Sequence, residues 1–207
     1  MAAKTAPTET TPAAEIITPG LSTPHYPDGG FFTVKAAPIT INATKDQVLD
    51  VLLRVGSYHA WSSFLCEGTN IVHPKTRPQG GSNMDGDDDA DIVTVGSTFD
   101  VKVRLFPAVP AILASQTEKI TSIEKSEEAY IITWSPTDIT GERVHIISEP
   151  DHGYGTCKYE TYETFQMSPK AWMTKLCLSS NLVNGFGAWS ADLKKAVEGR
   201  NLVSNPT

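Results

Sequence analysis

Cysteine is scarce in this chain, and its three copies, Cys66, Cys157 and Cys177, lie far apart with no CxxC and no Cys/His pairing. That spacing signals neither a disulfide framework nor a zinc site and leaves reduced, buried thiols as the expectation. Positive charge is short as well: 17 Lys and Arg against 24 Asp and Glu give a net charge of −7 and a pI near 5.2. A nucleic-acid partner, which needs clustered cations to displace counterions, is therefore not expected. No apolar run approaches membrane-spanning length. The opening MAAKTAPTETTPAAEIITPG has no continuous apolar core and no arginine, which argues against secretory and transit peptides and points to the cytoplasm. GxSxG, Walker and GxGxxG motifs are all missing, so the common hydrolase, nucleotide and dinucleotide readings fall away and no cofactor is expected. None of the five histidines pairs at HxxxH or HxxE spacing, so no metal site is expected either.

What is present suits one domain. Forty per cent of the 207 residues are hydrophobic, enough to bury a core. Residues 1–30, with Pro7, Pro12, Pro19, Pro24 and Pro27 among Thr, Ala and Gly, read as a disordered tail. Order is expected from FFTVKAAPITINA, a β-rich segment, which runs into TKDQVLDVLLRVGSYHAW. There Thr44 and Gln47 have capping-box spacing, and Val48, Val51, Leu52 and Val55 recur with helical period until Gly56. A strand, FLCEGTNIVHP, precedes a polar loop, KTRPQGGSNMDGDDDAD, whose Asp85, Asp87 and Asp89 fall short of a calcium loop. Ala90 stands where the sharp turn needs Gly, and Gly96 where the bidentate Glu belongs.

From Gly96 onward five strand signals follow in series: GSTFDVKVRLF, SQTEKITSIEK, AYIITWSP, ERVHIISEP and GTCKYETYETF. With no crossover helix between them they must pair antiparallel. Phe99, Val101, Val103 and Leu105 form the dry face of the first. Ser168-Pro169 then opens a long helix, residues 200–207 being a flexible end. Leu182, Phe186, Trp189, Leu193 and Val197 form its stripe, and Gly185 and Gly187 inside it imply a close neighbour or a bend.

This order resembles the helix-grip fold of the START-like, or SRPBCC, superfamily, an α+β architecture in which a curved antiparallel sheet wraps a long C-terminal helix, with two short helices after the first strand. ITINATKDQVLDVLLRVGSYHAWSSF is similar to its opening strand, capped helix and Tyr-x-x-Trp-x-x-Phe neck, here Tyr58, Trp61 and Phe64. GTCKYETYETF followed by GFGAWSADLKK resembles the closing strand and helix of the polyketide cyclase/dehydrase-like branch, including fungal members. The resemblance covers residues 31–199; the acidic loop at 75–91 and the FPAVPAIL stretch look longer than in a minimal member.

The resemblance implies a cavity between sheet and helix that holds a hydrophobic small molecule. It turns Tyr159, Thr161, Glu163 and Phe165 inward and, with the dry faces of neighbouring strands, makes Trp61, Phe99, Val101, Val103, Ile132, Trp134 and Phe186 ligand contacts. Glu163, Tyr159 and His59 are the candidate proton-transfer groups, each also open to a structural role: a carboxylate held by a donor, a space-filling phenol, a packing histidine. His145, alternating with Val144 and Ile146, is expected to face solvent. Cys157 and Cys177 lack a local base and read as apolar filler, and Trp172 and Trp189 as helix packing. Two functions compete: a cyclase, dehydratase or isomerase of secondary metabolism, and a non-catalytic lipid or metabolite carrier. An interaction module is disfavoured because no apolar helix face is left unassigned.

Overall fold

The computed structural model describes residues 11–75, 90–106, 108, 113–149 and 155–204. Most of the acidic loop and most of the FPAVPAIL stretch lie outside them. The elements are β1 (Ala14–Ile17), β2 (Phe32–Ala36), β3 (Ile39–Ile41), α1 (Lys45–Leu53), α2 (Tyr58–Trp61), β4 (Leu65–Val72), β5 (Thr98–Val103), β6 (Ala114–Lys125), β7 (Ala129–Pro136), β8 (Gly141–Ser148), β9 (Cys157–Phe165) and α3 (Pro169–Ser204). The strands form one nine-stranded sheet in the order β1-β2-β9-β8-β7-β6-β5-β4, with β3 also on β9. Among the described residues every strand pairing is antiparallel. Strands β2 and β3 are two pieces of one path along β9. The break falls at Ala37-Pro38, where proline has no N–H for a ladder and the Ala37 N–H instead donates to the Ala13 carbonyl.

The capping box of α1 forms as its spacing predicts: Gln47 N donates to Thr44 Oγ1 at 3.3 Å and Thr44 N to Gln47 Oε1 at 2.9 Å. A short 3-10 turn, Val55–Ser57, leads into α2. The start of α3 is capped by Ser168, whose hydroxyl accepts from Ala171 N. At about 1.5 Å per residue its 36 residues extend roughly 54 Å. Leu182, Phe186, Trp189, Leu193 and Val197 are all buried, as the stripe requires.

Two expectations about chain ends are corrected. Residues 11–30 are not a free tail: β1 pairs with β2 from Ala14↔Ala36 to Ile17↔Thr33, and the segment after it covers the outer face of the sheet. Leu21 N donates to Thr33 Oγ1, the Tyr162 hydroxyl donates to the Ser22 carbonyl, and His25 N and Nδ1 meet the buried Glu142 carboxylate at 3.1 and 2.5 Å. Order here comes from long-range partners rather than from the segment's own apolar content. At the other end α3 continues through Ser204, into the stretch expected to be flexible. Residues 1–10 and 205–207 lie outside the described residues.

Candidate ligand cavity

Period two places Cys157, Tyr159, Thr161, Glu163 and Phe165 of β9 on the face that meets α3, and all five are buried. The interior behind them has two unlike ends. At one end aromatic rings fill the space: Trp61 lies 4.9 Å from Trp189, Tyr58 5.2 Å from Trp189, Phe99 5.6 Å from Trp134 and His145 4.4 Å from Trp134, centroid to centroid. The Tyr159 hydroxyl is held there, accepting from Trp189 Nε1 at 2.8 Å and bonded to His145 Nδ1 at 2.7 Å. Burial pushes this phenol up to about 12, so it stays protonated at neutral pH. Phe99, Val101, Ile132, Trp134 and Phe186 pack into the core, and Thr161 is buried.

At the other end, between β5, β6, β8, β9 and the first half of α3, lies a cavity of about 180 Å³. Phe64, Leu65, Leu178 and Leu182 supply apolar wall, and the residues anticipated from sequence that reach it are Val103, Glu163 and Phe165. Glu118 and Arg143 join them. Glu163 on β9 stands opposite Arg143 on β8 and is 8% exposed. Burial raises its carboxyl from the ordinary 4.5 to about 7, the Arg143 charge pulling the other way. Glu118 on β6 is pushed well above its ordinary value by burial first and then by the Glu163 charge. The Arg143 guanidinium is walled by rings, 4.4 Å from the centre of Phe186, 4.9 Å from Trp189 and 5.7 Å from Trp134. A larger cleft of about 720 Å³ runs between Thr11–Ala14, Ser63 and the Asn181–Ala188 face of α3, but no carboxyl lines it. The buried carboxyls therefore line the smaller space, with Phe64 bordering both.

Other expectations move. His59 is exposed, its Nδ1 2.8 Å from the Gly56 carbonyl one turn back, and does not line the cavity. His145 is fully buried rather than solvent-facing, because β8 is covered on both faces and the inward set is Arg143, His145 and Ile147. Of the cysteines, Cys66 and Cys157 are buried and Cys177 is exposed. Trp172 is 52% exposed, beside exposed Met173 and Leu176, so an apolar face of α3 does remain uncovered. Glu118 and Arg143 were missed; the available signal was phase, Glu118 alternating with the buried Ile120, and Arg143 with Ile147. Among the described residues no three of His, Cys, Asp and Glu gather as metal ligands would, and no helix is long and apolar enough to cross a membrane.

No protein-family model and no curated protein matches the chain. Solved structures do match in shape. A hypothetical protein of Helicobacter pylori superposes with a TM-score of 0.55 at 12% identity, over 79% of this chain and 86% of that one. Norcoclaurine synthase of Thalictrum flavum, bound to a transition-state analogue, matches with a TM-score of 0.50 at 11% identity, over 93% of this chain and 99% of its own. The shared feature is the helix grip. At these identities the likeness establishes fold and nothing finer.

Proposed function

We propose that the protein binds a hydrophobic small molecule in the cavity beside Glu163 and promotes its cyclisation, dehydration or isomerisation by moving a proton, as the polyketide cyclase-like resemblance implies. The observation that carries this is a carboxyl lining an otherwise largely apolar hollow and brought by burial to about 7. A carboxyl of ordinary acidity is a weaker base toward a carbon-bound proton and at neutral pH leaves little of its acid form to return one. Near 7 both forms are populated. The ionised Glu163 removes a proton from the carbon next to a ligand carbonyl, and the resulting acid returns it to another carbon or to a departing hydroxyl. Norcoclaurine synthase, with the same fold, holds a transition-state analogue, which favours catalysis over carriage. Tyr159 and His59 have no part in this step, the first locked among aromatic rings and the second outside. We place the reaction in the cytoplasm, within secondary metabolism.

Exchange of the α-protons of 2-tetralone in D2O, followed by NMR, tests the reading without knowledge of the natural ligand. The wild-type protein should accelerate exchange, and Glu163→Gln should lower that acceleration about 100-fold or more, the usual worth of a positioned acid–base group, while tetralone binding persists. Equal rates for the two proteins would remove Glu163 from the chemistry and leave a carrier.

A further inference from the structure

The cavity wall contains a permanent cation whose hydrogen-bonding capacity is not used up. Arg143 is 4% exposed, and among the described residues its Nε and Nη2 have no hydrogen-bond partner. Neither neighbouring carboxyl claims it: among the described residues no ion pair joins Arg143 to Glu118 or Glu163, and Glu118 spends Oε1 on Gln116 Nε2 at 2.8 Å while Oε2 has no partner. Aromatic faces shield the guanidinium but cannot replace an acceptor. A buried guanidinium left this way is costly unless something else satisfies it.

We infer that the ligand is an acid: a compact apolar molecule carrying a carboxylate, which enters the cavity and takes Arg143 as its counter-ion. This rests on the ligand-binding reading above and narrows its substrate class. The guanidinium is the side chain best matched to a planar carboxylate. The space holds about six waters at about 30 Å³ each, or one six-membered ring with a short substituent. The other charges facing Arg143 permit this. Asp138 and Lys170 at the rim pair with each other; Tyr58, His145 and Tyr159 lie deeper and burial keeps each neutral. Glu118 and Glu163 both hold protons more tightly than ordinary carboxyls. The ligand's charge strengthens Glu163's hold on its proton, so with an acidic ligand Glu163 starts as the acid, giving its proton to a departing hydroxyl, and its carboxylate then takes one from the neighbouring carbon.

Benzoate, benzyl alcohol and benzylamine, titrated into the full chain while tryptophan fluorescence is followed, separate the alternatives. Benzoate should bind at least about tenfold tighter than benzyl alcohol at pH 6, and about tenfold more weakly at pH 8 than at pH 6 as Glu163 loses its proton. In Arg143→Met the preference for benzoate over the alcohol should vanish. If that variant does not fold, the wild-type preference and its pH dependence decide. Benzyl alcohol binding as well as benzoate, or benzylamine binding best, overturns the acid inference and leaves the cavity reading standing. Failure of all three at millimolar concentration overturns both.

Discussion

Gly185 shows how much one missing methyl group can decide. A Cβ there would lie 2.2 Å from Cε2 of Phe64 and 2.3 Å from its Cδ2, inside any tolerable contact, and Phe64 is itself buried. The glycine lets α3 lie directly on the ring that divides the inner cavity from the outer cleft. In a free helix Gly→Ala would gain about 1 kcal/mol; here steric overlap reverses the sign. Gly185→Ala should destabilise the fold by about 1–3 kcal/mol, read as a lower denaturant midpoint, and Phe64→Leu in the same chain should recover part of the loss. A stabilised single variant would mean that the helix stands off from the neck. Gly187 has a different neighbour, the Pro12 carbonyl oxygen at 2.4 Å from a built Cβ, so the two glycines seat two separate elements.

Among the elements, the arm formed by residues 11–30 departs most from expectation. It supplies β1 at one sheet edge and covers Thr33, Glu142 and Thr164, all buried on the outer face. Thr33 and Thr164 share a 2.6 Å hydrogen bond there. Cutting the chain before residue 31, at the boundary its composition suggests, exposes the β2 edge and strips the partner from Glu142. The loss should exceed about 2 kcal/mol, on the scale of one buried aliphatic side chain plus an open strand edge, and the product should aggregate. A truncated chain as stable and monomeric as the full one in denaturant titration and size-exclusion chromatography would show the arm to be dispensable. The helices and most strands were legible because their periodicity and caps are local: Thr44 with Gln47, Ser168 before Pro169, Phe99 alternating with Val101. The arm was not, because its order depends on tertiary partners outside the segment, from β2 beside β1 to Glu142, 117 residues from His25. Glu163 was legible as an inward carboxyl, but Arg143, opposite it on β8, was not. Strand β8 carries charged and apolar residues toward both faces and is buried on both, so its alternation does not fix which face is inward, and the connection from Ser148 to Cys157 is too long to transmit the register of β9.

At the scale of the molecule, these buried groups should set how stability depends on pH. Glu163 and Glu118 hold protons more tightly folded than unfolded, so their contribution is greatest at low pH. For Glu163 it is lost as pH rises from its ordinary 4.5 through about 7. His145 acts in the opposite sense: burial depresses its affinity for a proton, so it costs stability as pH falls below about 6.5, where the unfolded chain takes up the proton. Above that pH the histidine is neutral in both states and the carboxyls alone govern the slope. Between about 4.5 and 6.5 two carboxyls still outweigh one histidine. The wild-type protein should therefore be more stable near pH 6 than near pH 8, with roughly 1 kcal/mol of the difference traceable to Glu163. The overall charge of −7 acts in the same direction by self-repulsion, so the decisive comparison is between two proteins rather than two buffers. Glu163→Gln keeps the shape and removes that one titration, so thermal melts at pH 6 and pH 8 should lie closer together in the variant than in the wild type, Glu118 and the net charge keeping part of the gap. Parallel curves would show that residue 163 ionises as freely in the folded protein as in the unfolded chain, and the proposed chemistry would then lose its proton source.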